Sequence, residues 1–231
     1  MKVLIIDDEP DVVEALALAF NLQWQNWEVL TALDGETGLA IFNRETPDVV
    51  VLDISMPQMD GYEVLRRIRE VSDVPVLMLT VKSEEMDKVK ALEMGADDYI
   101  TKPFGSLELM ARIRAILRRA EMPPPPAAYP SFISGDLSMN FTTREVAVGG
   151  KPVKLTPIEY NMLFHLVRNA GRVLPHNTLV TKVWGHESSA DLISLKVYIR
   201  RLRQKIEKDP SNPIHILTER GIGYRFAKPP A

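Results

Sequence analysis

The stretch VVVLDISMP, residues 49–57, carries an unbroken apolar run straight into one carboxylate, Asp53. A run without polar alternation reads as a strand buried on both faces, as in a parallel sheet covered by helices. Its terminal charge is either the chain's exit to solvent or a group delivered to a site. The strands around it decide between the two.

Apolar runs VLIID, WEVLTA, DVVVLD, VPVLMLT and DDYITKP alternate with five stretches of helical spacing, from DVVEALALAFNL to SLELMARIRAILRR. Five strands alternating with five helices predict an α/β fold, a doubly wound parallel sheet covered on both faces. Ligands of such sheets bind outside the carboxyl ends of the strands. Those ends carry Asp7 and Asp8, Asp53, Thr80 and Lys102. Crowded carboxylates repel, and burial raises their pKa values unless a cation intervenes. Mg2+ takes hard oxygen ligands and keeps exchangeable waters, which suits a phosphoryl group arriving beside it. Asp53 is then the candidate nucleophile, because an aspartate can carry a covalent phosphoryl group. Lys102 and the Thr80 hydroxyl would bond phosphoryl oxygens. Taken singly, each residue could be a turn, a cap or a solvated cation; four coincidences at consecutive strand ends favour a site.

The chain of 231 residues has room for two domains. It has no cysteine, hence no disulfide framework or thiolate chemistry. The start MKVLIIDDE runs into acid rather than a small-residue cleavage site, so no signal peptide is expected, and no apolar run is long enough to span a bilayer. Met1 to Met122 hold 13 Lys+Arg against 23 Asp+Glu, and the remainder holds 15 against 8. An acidic half followed by a basic one predicts two domains with different partners, the second a candidate for nucleic acid. EMPPPPAAYP, with four consecutive prolines, reads as a stiff polyproline spacer between them. The expected boundaries are 1–120, a linker at 121–131, and 132–231.

In the basic half, REVAVGGKPVKL suggests small antiparallel strands, and Thr156-Pro157-Ile158-Glu159 spells a capping box with proline at the first helical position. HNTLVTKVW predicts a short second helix ending at Gly185. A third, from about Ala190 to Glu207, puts Leu195, Ile199, Leu202 and Ile206 on its apolar stripe. Its far side is read as Ile193, Val197, Arg200, Arg201 and Gln204, flanked by Lys196 and Arg203. Such a face is either merely solvated or reads DNA, since arginine can bond guanine edges while Lys and Arg neutralise phosphates. HILTERGIGYRF then predicts a hairpin with Arg220 at a tight tip. Helix-turn-helix plus hairpin is an α+β winged helix.

DD at the first strand end, D followed by MPQMDG, T after the fourth strand and GADDYITKPF together resemble a response-regulator receiver domain over residues 2 to about 119, which implies a flavodoxin-like sheet. The motifs LTPIEYNML, NAGRVL, VWG, VYIRRLRQKIE and GIGYRF resemble the OmpR/PhoB class of transcriptional regulators over 132–227. The resemblance implies a two-component response regulator, a cytoplasmic transcription factor rather than an enzyme. Asp53 would be phosphorylated by a sensor histidine kinase, with Mg2+ held by Asp7, Asp8, Asp53 and the Ser55 backbone carbonyl. Lys102-Pro103 would be cis, and Thr80 with Tyr99 would form the switch. Phosphorylation would drive homodimerisation through a face carrying Lys88, Asp97, Asp98, Glu108 and Arg112. Val197, Arg200 and Arg201 would face the major groove of promoter DNA. Lys196 stands there in place of a commoner acidic residue. Arg203 and Tyr224 would touch phosphates, Arg220 would enter the minor groove, and RNA polymerase is a further candidate partner.

Two other functions fit parts of this pattern. A phosphatase turning over an aspartyl phosphate lacks its Asp-x-Asp pair, because Ile54 and Ser55 follow Asp53. The basic domain could instead bind protein. WQNW, residues 24–27, is expected to cover the sheet edge with Trp24 and Trp27, or else to form a partner patch.

Overall fold

A computed structural model of the chain describes residues 1–81, 85–120, 131–185 and 192–228, with the backbone alone at 85–88 and 118–120. It divides into two compact units, Met1–Leu117 and Arg118–Ala231. The polyproline spacer lies outside the described residues. Ser131 opens the first strand of the second unit, so it belongs to that unit and not to the linker.

The first unit alternates strand and helix: β1 (Lys2–Ile6), α1 (Pro10–Gln23), β2 (Glu28–Ala32), α2 (Gly35–Glu45), β3 (Val49–Asp53), α3 (Gly61–Val71), β4 (Val76–Thr80), α4 (Glu85–Glu93), β5 (Asp98–Thr101) and α5 (Ser106–Ala120). The strands pair in parallel in the order β2-β1-β3-β4-β5. Side chains alternate across the pleat. Val3, Ile5, Val51, Leu77 and Leu79 pack against Val13, Leu16 and Phe20 of α1 and Leu109, Ile113 and Ile116 of α5. Leu4, Ile6, Val50, Leu52 and Met78 pack against Phe42, Val64, Leu65, Ile68 and Ala91 of α2, α3 and α4. With both faces covered, every residue of β3 is buried, which explains its unbroken apolar run.

Local chemistry aims the strand ends. The Asp60 side chain caps α3 by accepting from Glu63 N–H at 2.8 Å. A Cβ on Gly61 would stand 2.1 Å from the Asp53 carbonyl oxygen, so glycine there lets α3 start against the end of β3. Trp24 and Trp27 stack with centroids 4.5 Å apart, and both lie against Phe20 beside edge strand β2. They are half-buried and extend the core under α1.

The second unit opens with a four-stranded antiparallel sheet: β6 (Ser131–Ser134), β7 (Leu137–Asn140), β8 (Val146–Val148) and β9 (Lys151–Pro152). Next come α6 (Pro157–Arg168), β10 (Val173–Pro175), α7 (His176–Trp184), α8 (Leu192–Ile206), β11 (Ile216–Glu219) and β12 (Gly223–Phe226). The last two strands form the hairpin wing, and β10 completes its sheet in the order β10-β12-β11. The expected capping box at Thr156 and Glu159 is present. Leu195, Ile199, Leu202 and Ile206 are all buried, as their spacing predicts. At the far end of α8 the Glu207 carboxylate accepts three successive backbone N–H groups, Ile214, His215 and Ile216, at 2.8–3.2 Å, which clamps the wing to the helix.

Candidate functional site

The carboxyl ends of the parallel strands converge on Lys102. Its backbone N–H bonds the Thr80 carbonyl at 2.7 Å, prolonging the pairing of β4 and β5. The Lys102-Pro103 peptide is cis. The Lys102 ammonium lies 2.7 Å from Asp7 Oδ2, 2.8 Å from Asp53 Oδ1 and 3.0 Å from Glu9 Oε1. Asp7 and Asp53 are almost wholly buried. Burial pushes the Asp7 carboxyl above the ordinary aspartate value, and the like charge of Asp53 adds to this against the pull of Lys102. Burial alone would lower the Lys102 pKa; its bonds to Asp53, Asp7 and Glu9 outweigh that and hold it raised. Thr80 is buried at the end of β4, and Tyr99 is half-buried against the core on the α3 side.

Two adjacent buried carboxylates sharing one cation form an acceptor-only oxygen cluster with excess negative charge. That chemistry fits Mg2+, which is bound through one or two carboxylates plus waters and phosphate oxygens. Asp8 follows Asp7 as a half-buried residue, and Ser55 N–H donates to Asp53 Oδ2 at 2.5 Å. Among the described residues, no three acidic or histidine side chains converge on one metal-sized point. Any such ion would therefore lean on Asp7 and Asp53, with backbone and water completing its shell. Glu9 is the residue that the sequence reading missed. No motif signals that an N-cap residue reaches across to a lysine 93 positions later.

A cavity of about 530 Å3 opens beside this cluster between α1 and the start of α5, lined by Val12, Leu16, Phe104 and Leu109 with Glu9 and Lys102 at its polar end.

Of the expected dimer-face residues, Asp97 is corrected. It is 1% exposed, and one carboxylate oxygen takes both Arg69 Nη2 at 2.9 Å and Val76 N–H at 2.8 Å. It is a buried clasp at the foot of β4, not a surface charge. Asp98 pairs within the chain with Arg112 at 3.0 Å, and Arg112 also holds Glu108 at 2.8 Å. The Lys88 side chain lies outside the described residues.

On α8 the outward row is Lys196, Arg200 and Gln204, one helical turn apart and all exposed. Arg220 is exposed at the wing tip beside Gly221, whose φ of 74° suits a tight turn. Three expected DNA contacts, Val197, Arg201 and Tyr224, are buried, and a fourth, Arg203, is half-buried and engaged by the wing. Val197 is 6% exposed and joins the core. Arg201 is also 6% exposed, with Nη2 lying 2.7 Å from the buried Glu159 carboxylate. The sequence marks Glu159 only as a local helix cap, but its other oxygen also takes Lys205 at 2.6 Å. Arg203 donates to the Ile216 carbonyl at 2.6 Å and to Thr218 Oγ1 at 2.8 Å, stapling α8 to β11. Tyr224 is 6% exposed, edge-on to His176 with Arg203 over its ring, and burial raises its phenol pKa.

Comparison with known proteins agrees with this geometry. Residues 3–114 match the family of response regulator receiver domains, and 150–226 match that of transcriptional regulatory protein C-terminal domains. The chain therefore belongs to the OmpR/PhoB family of response regulators, which join a receiver to a winged-helix DNA-binding domain and regulate transcription. It is 42% identical to sensory transduction protein RegX3 of Mycolicibacterium smegmatis, over 97% of this chain and 98% of that one. It is 40% identical to the alkaline phosphatase synthesis transcriptional regulatory protein PhoP of Bacillus subtilis, over 99% and 97%. Among solved structures, the response regulator DrrB of Thermotoga maritima, an OmpR/PhoB homolog, aligns at TM-score 0.52 with 33% identity, covering 98% of each chain. Among the described residues no helix is long and apolar enough to cross a membrane.

Proposed function

We propose that Asp53 is the phosphoacceptor of this response regulator and that its phosphorylation by a sensor histidine kinase in the cytoplasm governs promoter binding. The observation that carries this is the pair of buried carboxylates, Asp7 and Asp53, held at one sheet edge by a single buried ammonium. Asp53 attacks phosphorus while Lys102 and Thr80 bond the phosphoryl oxygens. Asp7, Asp8, Asp53 and the Ser55 carbonyl would hold Mg2+, which supplies charge neutralisation at the transferring group. Thr80 closing on the phosphoryl group draws Tyr99 inward. The altered surface of α4, β5 and α5 then pairs with its twofold copy through Lys88, Asp98, Glu108 and Arg112. The protein is a regulator rather than a turnover enzyme, with promoter DNA and RNA polymerase as its output partners.

Lys196, Arg200 and Arg220, the exposed cations of α8 and the wing tip, are the residues that contact DNA. Incubation with acetyl phosphate and Mg2+ tests the phosphoacceptor. One acid-labile phosphoryl group should appear on the parent and none on Asp53→Asn; equal labelling of both would sink the assignment.

A further inference from the structure

The contacts of Lys102 account for every hydrogen its ammonium can donate. It has three N–H donors, and they point to Asp7, Asp53 and Glu9. Two of those carboxylates are buried, whereas the Glu9 side chain is 60% exposed. Among the described residues the Glu9 carboxylate has no partner but Lys102. It stands at the N-cap of α1, yet its carboxylate makes no capping bond; its backbone carbonyl accepts from Val12 and Val13 instead. Its own N–H donates to Asp7 Oδ1 at 3.0 Å, which pins its main chain to the site and leaves the side chain to fold over Lys102.

We propose that Glu9 is a positioning residue that occupies the third donor of Lys102 in the resting receiver, so that an incoming phosphoryl oxygen has to displace its carboxylate. The inference rests on Asp53 being the phosphoacceptor. In the transfer, an Asp53 carboxylate oxygen forms a bond to phosphorus, and the bond from phosphorus to the leaving group breaks. The leaving group departs with that electron pair: acetate from acetyl phosphate, with no proton moved, or ammonia from zwitterionic phosphoramidate. Glu9 acts before this step. It withholds the lysine and adds a negative charge at the entrance, so its effect grows with donor charge and shrinks with salt.

The test compares rates of Asp53 phosphorylation by acetyl phosphate, a dianion at neutral pH, and phosphoramidate, a monoanion overall, in the full-length parent, Glu9→Gln and Glu9→Asp. Glu9→Gln should accelerate the acetyl phosphate reaction by about threefold to tenfold at low salt and the phosphoramidate reaction by less. Glu9→Asp, which keeps the charge, should return the ratio of the two rates towards that of the parent. The ratio is a readout that a merely structural role would not move. Equal changes with both donors, or no change, overturn the proposal. So does a severalfold weaker Mg2+ dependence of the rate in Glu9→Gln, because Glu9 would then be serving the metal. A parent that takes no phosphoryl group at Asp53 overturns the phosphoacceptor reading itself, a failure visible before any variant is made.

Discussion

Arg201 Nη2 lies 2.7 Å from Glu159 Oε1, with both side chains almost out of contact with solvent, and this pair decides which edge of α8 faces outward. Glu159 is fixed by its capping bond to Thr156 N–H on α6, so the arginine must turn towards it. Lys196, Arg200 and Gln204 are left on the exposed edge of the helix.

Removing one partner of a buried ion pair strands the other. Arg201→Ala should therefore cost about 3 kcal/mol of stability, the low end of the usual range because Lys205 still holds Glu159. Glu159→Gln combined with Arg201→Met should recover part of that loss. Urea denaturation of the parent and these two variants gives the answer; a stable Arg201→Ala that loses only its preference for one base pair would restore the base-reading role.

Arg200→Ala should weaken binding to the true operator by roughly 1–3 kcal/mol and to random DNA by much less. Arg203→Ala should lower stability and leave the salt dependence of DNA binding unchanged, because its donors are engaged by β11. A salt slope flattened by about one unit in Arg203→Ala would return it to the phosphate contacts.

Lys102→Met would leave Asp7 and Asp53 facing each other without a cation. In metal-free buffer its melting temperature should fall, and Mg2+ should recover more of that loss than it adds to the parent, since a ligand of the native state stabilises by mass action. Equal Mg2+ effects on the two proteins would argue against a metal at these carboxylates.

Asp7 sets a pH dependence of defined sign. Its folded pKa is raised above the ordinary value, chiefly by burial, so its charge costs stability at neutral pH. That cost disappears as pH falls through the raised folded value towards the ordinary one. Asp7→Asn should thus stabilise the metal-free protein at pH 7, and the gain should shrink across that acidic window. A gain that is constant with pH would show that the Asp7 charge is not its source.

The strands of the first unit were legible because burial on both faces leaves no choice of residue along VVVLD, and the helices because their apolar stripes repeat at helical spacing. The order β2-β1-β3-β4-β5 came only with the resemblance to receiver domains, whose flavodoxin-like fold implies it, since periodicity within a segment says nothing about its neighbour. On α8 the buried stripe was read correctly, but the outward face was drawn too wide. Val197 and Arg201 lie on its flank, and a flank turns in or out according to a partner 42 positions earlier in the chain. Asp97 was misplaced for the same reason, because Arg69 approaches it from α3. Glu9 escaped notice because its role depends on a contact across the sheet and not on a motif.

The grip of Glu207 on the three consecutive amides that lead into the wing turns helix and hairpin into a calliper with a locked joint. The gap between Arg200 and Arg220 is then a property of the protein and not of the DNA it meets. If Arg200 and Arg220 are the DNA contacts, a duplex whose grooves match that gap would be bound as it is, and one that does not would itself have to bend or widen. Base pairs lying between the two contacts, touched by neither, would then be selected through the energy of that deformation.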